Sequence, residues 1–114
     1  MYGFQNLLER ASETPRFVNG VYGGYLYKIA GGRLGTFSWH RRWFELKGAR
    51  LSYAEDSIKE VKQMFFVRQS LVRIVPRKYK GKLHCFLCRV ATSGEVLELA
   101  ARDEAERRRW YAMQ

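Results

Sequence analysis

The stretch from Gly23 to Tyr53 places cationic side chains in an order that suits phosphate binding. Lys28 ends one segment of alternating apolar and polar residues, a glycine-rich loop follows, and His40, Arg41 and Arg42 open the next segment. Such segments are typical of neighbouring strands, so their charged ends should converge on one small pocket. Lysine, arginine and histidine side chains hold phosphate through charge-assisted hydrogen bonds. The pattern therefore indicates an anion-binding site.

The same residue types do not form a catalytic arrangement. Ser38 lies near His40 in the sequence, but no third group that would orient the imidazole is evident. The chain also offers no carboxylate dyad or metal-ligand cluster with suitable spacing. We therefore expect a non-catalytic domain that needs no metal ion or cofactor.

The positive charge of the chain is concentrated in its middle. Residues 28–89 contain 15 lysines and arginines and 4 acidic residues, whereas the whole chain of 114 residues has a net charge of +10. Such a local field attracts an anionic surface, and nucleic acid and the inner leaflet of a membrane are the two obvious ones. We find no RNP-like aromatic pair and no recognition helix, which argues against nucleic acid.

The elements that would position these residues are mostly short strands. Residues 3–12 have apolar side chains at helical spacing, which predicts a short amphipathic helix before the core. The predicted strands are 21–29, 39–47, 51–55, 62–68, 71–75, 83–91 and 95–100, and turn residues separate most of them. Asp103 and Glu106 then resemble a capping box that starts a closing helix. The order predicts a mainly β fold, a curved antiparallel sandwich or barrel of seven strands capped by a C-terminal helix.

The length fits one domain with one core. We assign residues 1–20 to the N-terminal helix and its lead-in, and residues 21–114 to the folded domain. Cys85 and Cys88 fall three apart on a predicted strand and therefore point to opposite faces, which does not suit a disulfide or a shared metal ion. We expect both to be reduced, structural cysteines of a cytosolic protein.

An ordered set of motifs resembles the pleckstrin homology (PH) domain family over roughly four fifths of the chain. The set comprises Gly24-Tyr25-Leu26-Tyr27-Lys28, then Arg42-Trp43-Phe44-x-Leu46, then Leu51-x-Tyr53, followed by a hairpin and a closing helix that carries Trp110. The loop from Lys28 to Arg33 is most similar to phosphoinositide-binding members of the cytohesin type.

The resemblance implies a headgroup pocket between the loop joining the first two predicted strands and the loop joining the third and fourth. Lys28 and Arg42 match the residues that grip the phosphates, Tyr53 matches a hydroxyl donor, and Lys62 matches the basic residue before the fourth strand. Arg33 and His40 would support them. His40 departs from the family pattern, which has a basic residue there, so we expect binding to strengthen as the pH falls towards about 6.

Two further segments are expected to contact the membrane. Leu34 and Phe37 lie at the tip of the glycine-rich loop and would either insert among lipid chains or, in the case of Phe37, fold back onto the core. The second segment places Arg77, Lys78, Lys80 and Lys82 within six residues, either as a membrane patch or as a solvated turn. In PH domains this loop lies beside the first one, where some members bind a second headgroup.

The function expected from these features is recruitment to anionic phospholipids on the cytosolic face of a membrane. The sequence does not choose between a phosphoinositide and phosphatidic acid. The alternative is a protein-interaction scaffold that has the PH fold and no specific lipid ligand, in which the N-terminal helix or a sheet edge makes the contact. Neither the oligomeric state nor the role of residues 1–20 follows from the sequence.

Overall fold

A computed structural model describes residues 15–31 and 35–113, without the side chains of residues 68–70 and 113. The predicted N-terminal helix over residues 3–12 lies outside this part of the chain. The strands are β1 (Arg16–Val18), β2 (Val21–Gly31), β3 (Phe37–Lys47), β4 (Arg50–Ala54), β5 (Val61–Val75), β6 (Cys85–Val90) and β7 (Val96–Ala100), and the helix α1 spans Glu104–Met113.

The seven strands form one antiparallel sheet in sequence order that curves until it closes on itself. Each strand pairs with the next along the chain, and β2 also pairs with β7. The closing contacts are short, with Tyr27 opposite Ala100 and Lys28 opposite Leu99. The mainly β architecture with one closing helix agrees with the prediction.

Two strands differ from the pattern expected from the sequence. The predicted strands 62–68 and 71–75 are one continuous strand, β5, whose pairing with β6 shifts register between Val67 and Val72. Val67 pairs with Val90 and the next pair is Val72 with Cys88, so the pairing of β5 with β6 is interrupted and then resumes. Irregularities of this kind bend a sheet locally. The short strand β1 lies in the lead-in that the sequence pattern left without a strand, and it pairs with the start of β2.

The core fills the inner face of the curved sheet. Strand alternation directs Leu26 of β2, Phe44 of β3, Leu51 of β4 and Phe86 of β6 inward, and each of these side chains is at most 1% exposed. Trp110 of α1 packs into the same cluster at the end of the barrel. These buried side chains therefore identify the inner face of each strand.

A second, smaller cluster covers the outer face of β2, β3 and β4. Trp43 and Ala54 lie opposite each other across β3 and β4, and both are buried. The ring of Tyr25 meets Trp43 edge-on, with centroids 5.0 Å apart, and its hydroxyl accepts a hydrogen bond from the backbone of Ser57. The segment between β4 and β5 is thus held over the outer face.

Gly23 and Gly24 leave room for a tryptophan on each side of β2. A Cβ at Gly23 would lie 2.7 Å from Cζ2 of Trp43, a distance that real Cβ atoms do not reach. A Cβ at Gly24 would lie 3.2 Å from Pro15 and 3.4 Å from Trp110. The two glycines therefore serve close packing.

Helix α1 begins where its capping residue predicts. The backbone N–H of Glu106 donates to Oδ1 of Asp103 at 2.8 Å, which confirms Asp103 as the N-cap. Arg107 is buried and donates to the backbone carbonyls of Val75 and Cys85, so it fastens the helix to β5 and β6. This arginine holds the fold together and is not free for a ligand.

Candidate functional site

The open mouth of the barrel brings together the charged ends of β2 and β3. Lys28 and His40 are directly opposite each other, and Leu26 and Arg42 are the next inward-facing pair along the two strands. Because Leu26 faces the core, all four side chains start from the inner face. Arg41 starts from the outer face, and its guanidinium lies 3.7 Å from the ring centroid of Tyr25. Alternation thus separates the two neighbouring arginines as the sequence predicts.

Lys28 reaches across the mouth towards β4. Its Nζ lies 5.4 Å from the ring centroid of Tyr53 and donates a hydrogen bond to the backbone carbonyl of Ile29 at 3.2 Å. Within the described part of the chain, no carboxylate forms an ion pair with Lys28. The ammonium therefore keeps its charge available for an anion.

Arg42 is half-buried one step below Lys28 on the inner face. Its Nη1 donates to the backbone carbonyl of Arg41 at 2.9 Å, which orients the guanidinium. No carboxylate of residues 15–31 or 35–113 pairs with it either. The remaining N–H groups of the guanidinium can donate to phosphate oxygens, since five donors are present and the backbone carbonyl takes one.

Tyr53 forms the aromatic wall of the mouth. Its ring stacks on Phe44 and Phe65, with centroids 5.3 Å and 6.2 Å away. Its hydroxyl donates to Oε1 of Gln63 at 3.4 Å. The stack fixes the ring, and the long hydrogen bond leaves the hydroxyl able to turn to a better acceptor.

His40 completes the rim of the mouth. Its Nε2 forms a hydrogen bond of 2.8 Å with the hydroxyl of Ser38, and the tautomer of the imidazole decides which group donates. The side chain of His40 is half-buried and that of Ser38 is exposed. This contact ties the imidazole to Ser38, and among the described residues no carboxylate forms an ion pair with His40.

Lys62 does not join the mouth in the way that the resemblance implies. It is the extra residue at a bulge between Gln63, which lies opposite Tyr53, and Val61, which lies opposite Ala54. Its Nζ pairs with Glu55 at 3.5 Å, and both side chains are more than half exposed. The bulge thus puts Gln63 in the position expected for Lys62.

The glycine-rich loop is described only in part. Arg33 and Leu34 lie outside the described residues, so their predicted contacts stay predictions. Gly35 has a φ of 77°, in the left-handed region that glycine adopts without strain. Phe37 is 46% exposed, so its side chain does not fold into the core.

The basic loop of residues 77–82 packs against the outer side of the β2–β3 hairpin. Trp39 Nε1 donates to the backbone carbonyl of Lys80 at 2.9 Å, and Lys82 Nζ lies 3.9 Å from the ring centroid of Tyr27. The side chain of Lys80 lies 5.3 Å from the ring of Phe37. Arg77 and Lys78 are exposed. The loop is therefore an ordered part of the surface beside the mouth.

Glu98 of β7 neutralises part of this loop. It accepts hydrogen bonds from Lys80 Nζ at 2.7 Å and from the hydroxyl of Tyr79. Partial burial acts to raise the pKa of Glu98, but these two hydrogen bonds, with the charges of Lys80 and Lys28, outweigh it and hold that pKa below its ordinary value. The hydrogen bond to Glu98 in turn raises the pKa of Lys80.

The two cysteines are buried, and no disulfide joins them. Cys88 lies in the core, and burial raises the pKa of its thiol to about 11. Cys85 lies on the other side of β6, where its thiol is 3.3 Å from the backbone carbonyl of Lys82. Burial raises its pKa as well, so both thiols stay protonated and unreactive near neutral pH.

Three residues near the site were not predicted from the sequence. Gln63 reaches Tyr53 only because of the bulge at Lys62, and no local signal in the sequence marks that bulge. Glu98 meets Lys80 across 18 residues of sequence. Trp39 could have been noticed as an indole beside His40, but its acceptor, the carbonyl of Lys80, is a backbone group.

Comparison with known proteins identifies the family of this fold. The family model described as the PH domain matches residues 20–113. The chain belongs to the PH domain family. A search of curated proteins returned no match. Among the residues that the structure describes, no helix has the length and apolar character needed to cross a membrane.

Solved structures agree with the PH fold. A crystal structure of SifA and SKIP shares 21% identity over 80% of this chain and 90% of that chain, with a TM-score of 0.66. The PH domain of ArhGAP27 shares 16% identity over 82% and 94% of the two chains, with a TM-score of 0.63. The PH domain of the human KIAA0053 protein shares 18% identity over 89% and 86%, with a TM-score of 0.59. These likenesses show the fold alone, and the similarity to cytohesin-type members stays a prediction.

Membership of the PH family also bears on the class of function. PH domains are generally non-catalytic modules that bind lipids or proteins, and no enzyme family is indicated.

Proposed function

We propose that this PH domain recruits its protein to membranes by binding anionic phospholipid headgroups at the mouth of the barrel. The observation that carries the proposal is the convergence of Lys28, His40 and Arg42 on the inner face, where no described carboxylate pairs with Lys28 or Arg42. A phosphomonoester presents several acceptor oxygens, and these side chains present donors on adjacent strands.

Each residue of the mouth would make a different kind of contact with the phosphate groups. Arg42 would donate two parallel hydrogen bonds to one phosphate, and Lys28 would add a point charge above it. The hydroxyl of Tyr53, which donates to Oε1 of Gln63, would donate to a phosphate oxygen instead. Arg33, which the sequence places in the adjoining loop, would add charge at the rim.

The exposed surface around the mouth suits a membrane. Phe37 is exposed beside the mouth, and Arg77 and Lys78 are exposed on the neighbouring loop. Leu34 is proposed from the sequence to insert with Phe37. A surface of this kind supplies weak attraction to anionic lipids in addition to the specific headgroup contacts. The cytosolic face of a membrane would be the place of action.

Liposome co-sedimentation of the whole chain tests the proposal. Vesicles of phosphatidylcholine would be compared with vesicles that also contain phosphatidylserine, phosphatidic acid or a phosphoinositide, at about 150 mM salt, where loose electrostatic attraction is screened. We expect selective pelleting with a phosphoinositide or with phosphatidic acid. The same lipid would then be the ligand of the pocket.

Two neighbouring arginines supply a matched pair of variants. Arg42→Ala should abolish the selective pelleting, whereas Arg41→Ala, which removes the same charge from the opposite face, should retain it. Equal loss in both variants, or equal pelleting with all anionic lipids, would show a charged surface without a pocket. Pelleting that is independent of Arg42, or no pelleting, would favour the protein-interaction function.

A further inference from the structure

A groove lies on the outer face of β5, β6 and β7, away from the proposed headgroup pocket. Its cavity has a volume of about 420 Å³ and is lined on the outer face by Leu71, Arg73, Leu87, Arg89 and Val96, with Val72, whose side chain packs against the core, at its floor. On β7, Val96 is three residues from Leu99, which lies opposite Lys28 at the mouth. The groove and the mouth are therefore separate surfaces on opposite faces of the sheet.

Strand register arranges the groove as alternating cationic and aliphatic side chains. Arg73 lies directly opposite Leu87, and Arg89 lies directly opposite Val96. Directly opposed side chains in an antiparallel pair have Cβ atoms about 4.5–5.5 Å apart, and diagonal neighbours about 7–8 Å. Each arginine is thus in reach of an aliphatic neighbour, and the two arginines are diagonal to each other.

The positive charge of the groove is not neutralised within the described chain. Arg73 is exposed and makes no hydrogen bond or ion pair with a described residue. Arg89 donates Nη1 to the backbone carbonyl of Gly94 at 2.9 Å and has no carboxylate partner there. Glu98 lies opposite Leu87, but Lys80 and Tyr79 already occupy its carboxylate. Val96 is 40% exposed, so an aliphatic surface lies open beside two cations.

We propose that this groove binds an acidic amphipathic helix of a partner protein. Leucine side chains of the helix would cover Leu87 and Val96, and its carboxylates would pair with Arg73 and Arg89. Helix residues three and four apart lie on one face at about 5–6 Å, a spacing close to that of the groove's alternating side chains. Charge complementarity selects the acidic partner, and the aliphatic surface supplies the buried contact.

Fluorescence polarisation with the whole chain tests this proposal. The probe is a fluorescein-labelled peptide with leucines and glutamates at helical spacing on one face. One control peptide replaces the glutamates by lysines, and another replaces the leucines by serines. We expect the first peptide to bind and both controls to bind at least about tenfold more weakly, since both charge and apolar contact are required.

Variants of the protein locate the binding surface. Arg73→Glu should reduce the affinity for the peptide by about tenfold or more, and Arg73→Gln should reduce it by less. Arg108→Glu is the matched control, because it makes the same charge change at an exposed position of α1 and should leave the affinity unchanged. Arg73 is exposed, so unchanged thermal unfolding of both variants is expected and would verify their fold.

Several results of these binding experiments would contradict the proposed helix-binding groove. Equal weakening by Arg73→Glu and Arg108→Glu, or equal binding of the leucine and serine peptides, would overturn the proposal in favour of general charge attraction. Failure of the peptide to bind would overturn it as well. If Arg73→Glu instead reduces binding to phosphatidylserine vesicles and leaves the affinity for the peptide unchanged, the groove is a membrane-binding surface. Arg42→Ala should not affect the peptide, which keeps this test independent of the headgroup pocket.

Discussion

Lysines and arginines lie on both sides of the β2–β3 hairpin, on its own strands at the inner side and on the loop of residues 77–82 at the outer side, but they differ in their ion pairing. On the inner side, Lys28 and Arg42 donate to backbone carbonyls and have no ion pair with a described carboxylate. On the outer side, Lys80 is paired with Glu98, and Lys82 lies over the ring of Tyr27. A count of cations would make the outer loop the stronger site. The contacts make the inner side the more available one.

The largest expected effect is a difference between two lysine variants. Lys28→Ala should weaken binding to vesicles of the preferred lipid by about tenfold or more, because a charge-assisted hydrogen bond to phosphate is lost. Lys80→Ala should change it little, because Glu98 already neutralises this lysine. Surface plasmon resonance on immobilised vesicles measures both. Similar losses in the two variants would remove the distinction between the two sides.

The second-largest effect is expected when the ion pair between Lys80 and Glu98 on the outer side is removed. Glu98→Gln removes the acceptor charge and frees Lys80, so binding to phosphatidylserine vesicles should rise by about fivefold. Glu95→Gln is the control, because it makes the same change of charge at an exposed position of the β6–β7 turn. Vesicle co-sedimentation at several salt concentrations would measure the difference. An equal rise in both variants would mean that only net charge matters.

A smaller effect is expected on the inner side from His40. His40→Arg gives the rim a permanent charge, so headgroup binding near pH 7.4 should strengthen by a few fold and lose its dependence on pH between about 6 and 8. Isothermal titration with a soluble headgroup, whose own ionisation is matched in a reference titration, would show this. A parent chain whose affinity is already constant over that range would exclude His40 from the pocket.

The smallest expected effect is a local structural change at acidic pH, when Glu98 is protonated. The pKa of Glu98 is lowered in the fold, so its contribution to stability is complete above the ordinary value of 4.5 and is lost as the pH falls through the lowered pKa. Protonation of Glu98 should loosen the loop of residues 77–82 and alter the fluorescence of Trp39, whose Nε1 donates to that loop. A titration from pH 7 to about pH 3 would follow it.

Two variants assign that acid transition. Glu98→Gln should lack this transition, and Trp39→Phe should remove its fluorescence signal, while the buried Trp43 and Trp110 report on the two faces of the sheet. A transition that persists in Glu98→Gln would have another origin. Loss of all three tryptophan signals together would indicate global unfolding.

Local rules predicted those parts of the molecule that depend on neighbouring residues. Strand alternation correctly separated Arg41 from Arg42, because side-chain direction follows from position along one strand. The N-cap at Asp103 was equally local. The ordered PH motifs predicted the family, which the match over residues 20–113 confirms.

The remaining features depend on contacts between distant segments. A one-residue bulge decides whether Lys62 or Gln63 faces Tyr53, and such a shift depends on how β4 and β5 pair. The neutralisation of Lys80 depends on the turn that brings Glu98 beside it. The continuity of β5 through its bend is set by the packing of the whole sheet. None of these follows from periodicity along the chain.

The adjacent glycines of β2 give the molecule a wall one backbone thick between two indole rings. A methyl group at residue 23 would press on Trp43, whereas a methyl group at residue 24 would press on Pro15 first and would also touch Trp110 of the closing helix. Substitutions at consecutive positions would therefore be felt on opposite sides of the barrel. An experimenter could use this strand to disturb either the packing of Trp43 on the outer face or the packing of Pro15 and Trp110 on the inner face, with the other serving as the internal reference.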